Sequence, residues 1–198
     1  MIRRIALSIP LPFPTLRFTD ARSYLLTFLF VFLNVAVPRL FHQFQLTGAT
    51  FLPMHFFVFI AGLTFGWRFG LVVGFLTPLA SYAVSGLPAP AMLPQIIVEV
   101  FTYGLIAGVL REKFHLKPVW SLLGAMAAGR IALLLAVAFV YIRLGKVYSP
   151  IGLEASPLVA VWMTIKQGLP GIAIQLVSIP FIVWLITKLE IKSRVDNP

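Results

Sequence analysis

Residues 118–142 read PVWSLLGAMAAGRIALLLAVAFVYI, a stretch of 25 residues with one charge, Arg130, near its middle. At 1.5 Å per residue a helix of this length is about 37 Å long, enough to cross a hydrocarbon layer of ~30 Å with some tilt. A strand cannot account for it, because strands in compact domains run to about ten residues. The stretch therefore reads as a transmembrane helix, and the rest of the chain repeats the pattern. Further apolar runs cover residues 21–41, 51–65, 69–84, 94–110 and 157–189. The runs at 51–65 and 69–84 are near or below the ~17-residue lower limit for a span and read as a tight helical hairpin about Gly66-Trp67-Arg68. The expectation is an all-α integral membrane protein, a bundle of six transmembrane helices over residues 20–189.

Composition agrees. Of 198 residues, 60% are hydrophobic and 11% charged, with mean hydropathy +0.96. Sixty per cent is about 119 residues, close to the ~120 that six spans of ~20 residues need. A soluble domain of this length keeps about a third of its unfolded surface exposed and cannot hide so much apolar area. An ordinary globular fold, a disordered chain and a secreted disulfide scaffold are all excluded. The absence of cysteine also removes thiolate metal ligands, a cysteine nucleophile and palmitoylation.

The net charge of +10 is explained by orientation rather than by nucleic acid. With the N-terminus inside, the inner segments hold Arg3, Arg4, Arg17, Arg22, Arg68, Arg111, Lys113, Lys117, Lys188, Lys192 and Arg194, eleven of the sixteen basic residues. The outer segments hold four: Arg39, Arg143, Lys146 and Lys166. Residues 1–19, with three arginines and Pro10, Pro12 and Pro14, read as a basic cytoplasmic arm rather than a signal peptide, and Asp20 as a helix cap. Residues 190–198 read as a cytoplasmic tail, so both termini face the cytoplasm of a multi-pass plasma-membrane protein.

A charge inside the bilayer needs a partner, a cavity or a task. Glu99 and Arg130 both lie inside apolar runs. They read either as a buried ion pair fixing helix register or as groups of which at least one lines a ligand cavity. Asn34, Arg39, His42 and Gln43 close the first run; His55 opens the second, and Lys166, Gln167 and Gln175 lie in the sixth. Together they suggest a polar chamber opening outward, suited to an anionic or strongly hydrogen-bonding solute. The candidate substrate-binding residues are Glu99, Arg130, His55, Gln167, Gln175, Asn34, Arg39 and His42. No metal site, catalytic residue or cofactor is assigned. No pair of histidines has i, i+4 spacing and no Gly-x-Ser-x-Gly elbow occurs. Gly145-Lys146 is followed by Val147, which rules out a phosphate-binding loop. Small residues at four-residue spacing, Gly62/Gly66, Gly70/Gly74, Gly104/Gly108 and Ala128/Ala132/Ala136, read as close helix packing within the bundle or onto another membrane subunit.

Several segments in order carry a resemblance. They are Gly48-Ala49-Thr50-Phe51-Leu52-Pro53-Met54-His55, Ala61-Gly62-Leu63, Gly74-Phe75-Leu76-Thr77-Pro78-Leu79, Leu93-Pro94 and Glu99-Val100-Phe101-Thr102-Tyr103-Gly104-Leu105. Gly129-Arg130-Ile131 and Gly168-Leu169-Pro170-Gly171-Ile172-Ala173-Ile174-Gln175-Leu176 follow. Over about Asn34 to Ile186 the chain resembles the substrate-binding S components of energy-coupling factor (ECF) transporters. The resemblance implies a six-helix subunit, not an enzyme, that captures a vitamin or related micronutrient near the extracellular face. Residues 39–50, 85–93 and 143–156 correspond to the loops that family members use for binding. It further implies docking onto a transmembrane coupling subunit with two cytoplasmic ATPases, and release of solute by toppling within the bilayer. The cationic bias favours carboxylate-bearing vitamins such as pantothenate or a folate, with riboflavin, cobalamin and pyridoxine types also within the family's range. One feature departs from the family. The first-helix Ala-x-x-x-Ala docking face is missing, because Ala36 is followed at i+4 by Leu40. Two readings of other classes stand beside this one: a membrane-embedded enzyme using His42, His55 and Glu99, and a structural accessory subunit in which Glu99 and Arg130 only lock packing.

Overall fold

The computed structural model describes residues 21–44, 48–149 and 152–196, with side chains undescribed at 41, 42, 48, 49 and 190–196. Asp20 and the arm at 1–19 therefore lie outside the described residues. The helices are α1 (Ala21–Gln43), α2 (Gly48–Phe51), α3 (Pro53–Phe65), α4 (Trp67–Ser85), α5 (Leu93–Glu112), α6 (Pro118–Leu144) and α7 (Pro157–Asp196). Five have segments long and apolar enough to cross a bilayer: Ala21–Leu40, Trp67–Ser85, Leu93–Glu112, Pro118–Leu144 and Pro157–Leu189. The protein is thus a helical membrane bundle. The sixth long helix of the expected bundle, α3, has only 13 residues.

Helix α3 is the axis of the bundle. It packs against α1, α4, α5, α6 and α7. Val58, Phe59, Ile60, Ala61, Leu63 and Thr64 are all buried, which is why its sequence is apolar all round rather than amphipathic. The glycines at four-residue spacing serve this interior. A Cβ on Gly62 would come within 2.6 Å of the Gly104 carbonyl, and a Cβ on Gly70 or Gly104 would land on the other's backbone. Helices α3, α4 and α5 thus meet backbone to backbone, and close packing is the main cohesive force where no water is present to drive burial. Small residues here serve contacts within the chain.

The ends depart from the expected runs in three places. The α3–α4 break falls at Gly66 alone (φ 92°), and Glu112 Oε2 accepts a hydrogen bond from the Trp67 N–H at 3.1 Å. That bond satisfies one of the orphan donors at the start of α4 and puts a negative group at the positive end of its dipole. Second, the expected loop at 143–156 contains a short antiparallel ribbon, β1 (Tyr148–Ser149) against β2 (Gly152–Leu153). Third, α7 continues into the expected tail as far as Asp196.

At one end of the bundle lie the C-terminal ends of α1, α4 and α6 and the N-terminal ends of α3, α5 and α7. The other end holds the turn at Gly66 and the basic link 111–117.

Candidate solute-binding site

Helix α3 starts abruptly. Leu52, between α2 and α3, has left-handed backbone geometry (φ 50°, ψ 42°), strained for a residue with a side chain. Two residues one turn apart on α7 hold it. Gly171 faces the Phe51 carbonyl so closely that a Cβ would sit 2.6 Å from its oxygen. Gln175 donates its Nε2–H to the Leu52 carbonyl at 3.0 Å. The same carbonyl accepts the His55 N–H at 3.1 Å, so Gln175 adds a second donor to the first turn of α3.

Above this start lies a cavity of about 500 Å³, within the range of small-molecule sites. Its floor is Leu52, Pro53, Met54 and His55; its walls come from α1, α4, α5, α6 and α7; Leu87, Pro88 and Ala89 of the α4–α5 loop close one side. Most of the lining is apolar, with Val35, Ile96, Leu133 and Val137 among it. Polar groups are few. Glu99 and Gln95 face it from successive turns of α5, Thr164 and Gln167 from α7, Ser81 and Ser85 from α4, and Arg39 stands exposed at the rim. A smaller cavity of about 170 Å³ shares Leu52 and His55 with it and is lined further by Phe59, Tyr103, Arg130 and Gln175.

Glu99 stands between the two. Its Oε1 accepts from Arg130 Nη1 and from Tyr103 Oη, both at 2.7 Å. The carboxylate is 4% exposed and the guanidinium side chain 13%. A buried pair of this kind holds only when geometry is good and further hydrogen bonds help, and the tyrosine hydroxyl supplies one. Gly129 makes the approach possible. A Cβ there would overlap the Tyr103 ring, so only glycine lets the ring lie on the α6 backbone. The ring is also flanked by His55, with centroids 5.1 Å apart, and Phe59, at 4.8 Å. Glu99 Oε2 has no hydrogen-bond partner among the described residues. Gln167 Oε1 is buried without one as well.

The sequence-predicted residues thus fall into groups. His55, Glu99, Gln167 and the rim residue Arg39 line the larger cavity; His55, Arg130 and Gln175 line the smaller. Asn34 lines neither. It is buried on α1 and donates Nδ2–H to Thr77 Oγ1 of α4 at 3.1 Å, a cross-helix tie. His42 belongs to α1, and its side chain lies outside the described residues. Lys166 and Gln43 are exposed and line neither cavity. Sequence reasoning missed Gln95, Ser81, Ser85, Thr164 and Tyr148. Gln95 was findable, since it precedes Glu99 by four residues and so shares its helix face. Thr164 precedes Gln167 by three and could be found in the same way. Among the described residues, no three of His, Asp and Glu stand close enough to hold a metal ion.

Comparison with known proteins agrees with this architecture. Searches of curated proteins and of solved structures return no match. The family described as ECF transporter, substrate-specific component, matches residues 21–183, which takes in α1 through most of α7. A membrane bundle with a small-molecule cavity set into one end is the body that a solute-binding transporter subunit requires, and the chain belongs to the family of ECF transporter substrate-specific components.

Proposed function

We propose that this protein captures a vitamin-sized micronutrient from the outer side of the plasma membrane, and that an ATP-driven module then completes uptake. The observation that carries the reading is the position of the 500 Å³ cavity. It opens at the end of the bundle away from Arg68, Arg111, Lys113 and Lys117. The excess of basic residues at that other end favours its placement on the cytoplasmic side, with both termini there. The cavity end is then extracellular. His55, Glu99 and Gln167 bind solute in the larger cavity with Arg39 at its mouth, while Arg130 and Gln175 hold the wall behind. Energy comes from partners: a transmembrane coupling subunit and two cytoplasmic ATPases, as the family membership supports.

Two measurements test this. Native mass spectrometry of the freshly purified chain should release one small molecule on denaturation, in about equimolar amount. In sealed vesicles, radiolabelled uptake of that molecule should need the coupling subunit, the ATPases and ATP. Uptake by the chain alone would overturn the need for a module. Absence of any bound or bindable solute would overturn capture itself.

A further inference from the structure

Resting on the capture function proposed above, we infer that the larger cavity holds its solute in one orientation, with an uncharged, mainly apolar body inward and a single anionic group left at the mouth, where Arg39 is the residue that reads it.

The interior has no net charge to offer. Among the described residues Glu99 is the one carboxylate in the lining, and Arg130 meets it from behind at 2.7 Å, so the pair presents no net charge to the hollow. The other walls are mostly apolar, with Val35, Ile96, Leu133 and Val137 among them. The side chains of His55, Tyr148 and Gln167 line the hollow and make no hydrogen bonds among the described residues. Imidazole, phenol and amide carry little or no charge at neutral pH, so these three are free to meet uncharged polar groups of a solute. A charged group seated among such walls would lose its hydration and gain no opposite charge in return, which is the costly case for burial.

The mouth is different. Arg39, near the C-terminal end of α1, is the one Lys or Arg in the lining; it is exposed and has no acidic partner among the described residues. Arg143 and Lys146 are exposed at the same end of the bundle, where Glu154 accepts from Ser149 Oγ at 2.8 Å. This surplus of positive charge draws anions to the opening and turns cations away. A guanidinium offers a carboxylate two parallel donors, and at an exposed site the anion keeps the rest of its hydration. The cationic bias visible in the sequence thus lies at the opening, while the guanidinium of Arg130 lines the smaller cavity. A solute matched to both parts is uncharged where the walls are dry and anionic where they are wet.

The test uses three probes that share one apolar body: 3-phenylpropanoate, 3-phenylpropanol and 3-phenylpropylamine. They are offered separately to the purified full-length chain, with affinity read by isothermal titration and adducts by native mass spectrometry. The acid should bind at least about tenfold tighter than the amine, which meets only like charge at the mouth. Arg39→Gln should lower the acid several-fold relative to the alcohol, and Arg39→Lys should lower it less. Raising salt from about 0.1 to about 1 M shortens the screening length from about 10 to about 3 Å. That change should also lower the acid relative to the alcohol, and should do so less in Arg39→Gln. An amine that binds as tightly as the acid, or an acid-to-alcohol ratio that Arg39→Gln does not move, overturns the inference while capture stands. If none of the probes binds, the molecule released from the purified protein takes their place. An anion whose affinity falls in Arg39→Gln supports the inference; a cation, a solute with no anionic group or an anion indifferent to Arg39→Gln overturns it. No probe bound and no molecule released overturns both the inference and the capture function.

Discussion

Arg130 on α6 and Tyr103 on α5 converge on one atom, Glu99 Oε1, each donating to it at 2.7 Å. A single carboxylate oxygen thus takes both donors and ties two helices together, on a residue that also lines the larger cavity. The same residue holds two helices together and forms part of a cavity wall. The two readings that the sequence leaves open for the pair, packing lock or ligand group, need not exclude each other.

Removing one side of this pair should be worse than removing both. Arg130→Met leaves a buried carboxylate with only Tyr103, and breaking buried pairs costs about 3–5 kcal/mol. The double variant Arg130→Met with Glu99→Gln should recover most of that loss. Thermal melts of the purified variants check it. Equal melting temperatures for the single and double variants would show that the pair carries no such energy.

Gly129→Ala should destabilise the bundle, because its methyl group would overlap the Tyr103 ring. Overpacking of this kind costs about 1–3 kcal/mol. Adding Tyr103→Leu should give part of it back, since the smaller side chain vacates the contact. A melt in which Gly129→Ala matches the unmodified chain would remove the argument.

Gln175→Leu keeps roughly the same bulk but takes away the donor to the Leu52 carbonyl. The carbonyl keeps its bond from the His55 N–H, so the loss is that of one buried hydrogen bond, about 0.5–1.5 kcal/mol. The floor of the cavity is Leu52 itself, so solute affinity should fall along with stability. Parallel titration and melting would show both; a change in neither would mean that the bond to Leu52 is idle.

Topology can be read directly, since the chain has no cysteine of its own. Lys117→Cys should react with a membrane-impermeant maleimide only after the cells are opened. Lys146→Cys should react in intact cells. The reverse pattern would invert the proposed orientation.

The spans were legible because apolar runs in a membrane protein are long and bounded by polar breaks. The runs at 94–110 and 118–142 match α5 (Leu93–Glu112) and α6 (Pro118–Leu144) to within two residues at each end. The meeting of Glu99 and Arg130 was legible in outline, because charges in a low-dielectric layer need partners. The rotation of each helix was not. A face turned to lipid and a face turned to protein are both apolar here, so nothing in composition distinguishes α3, wrapped on all sides, from α1, whose Tyr24, Leu25, Phe28 and Phe32 are exposed. For the same reason, Asn34 looked like part of the chamber but ties α1 to α4 through Thr77, and Arg130 looked like the chamber's cation but faces the smaller hollow. Position along a helix is written in the sequence; azimuth depends on neighbours far away in the chain.

The shortness of α3 has a volumetric consequence. Thirteen residues rise about 20 Å, roughly 10 Å less than the bilayer's oily slab. The helix stands as a pedestal inside taller pillars, and the missing height becomes headroom above it. Inserting one extra turn after Leu52 would plug the chamber with backbone, so this protein gains its storage space by leaving its central column unfinished.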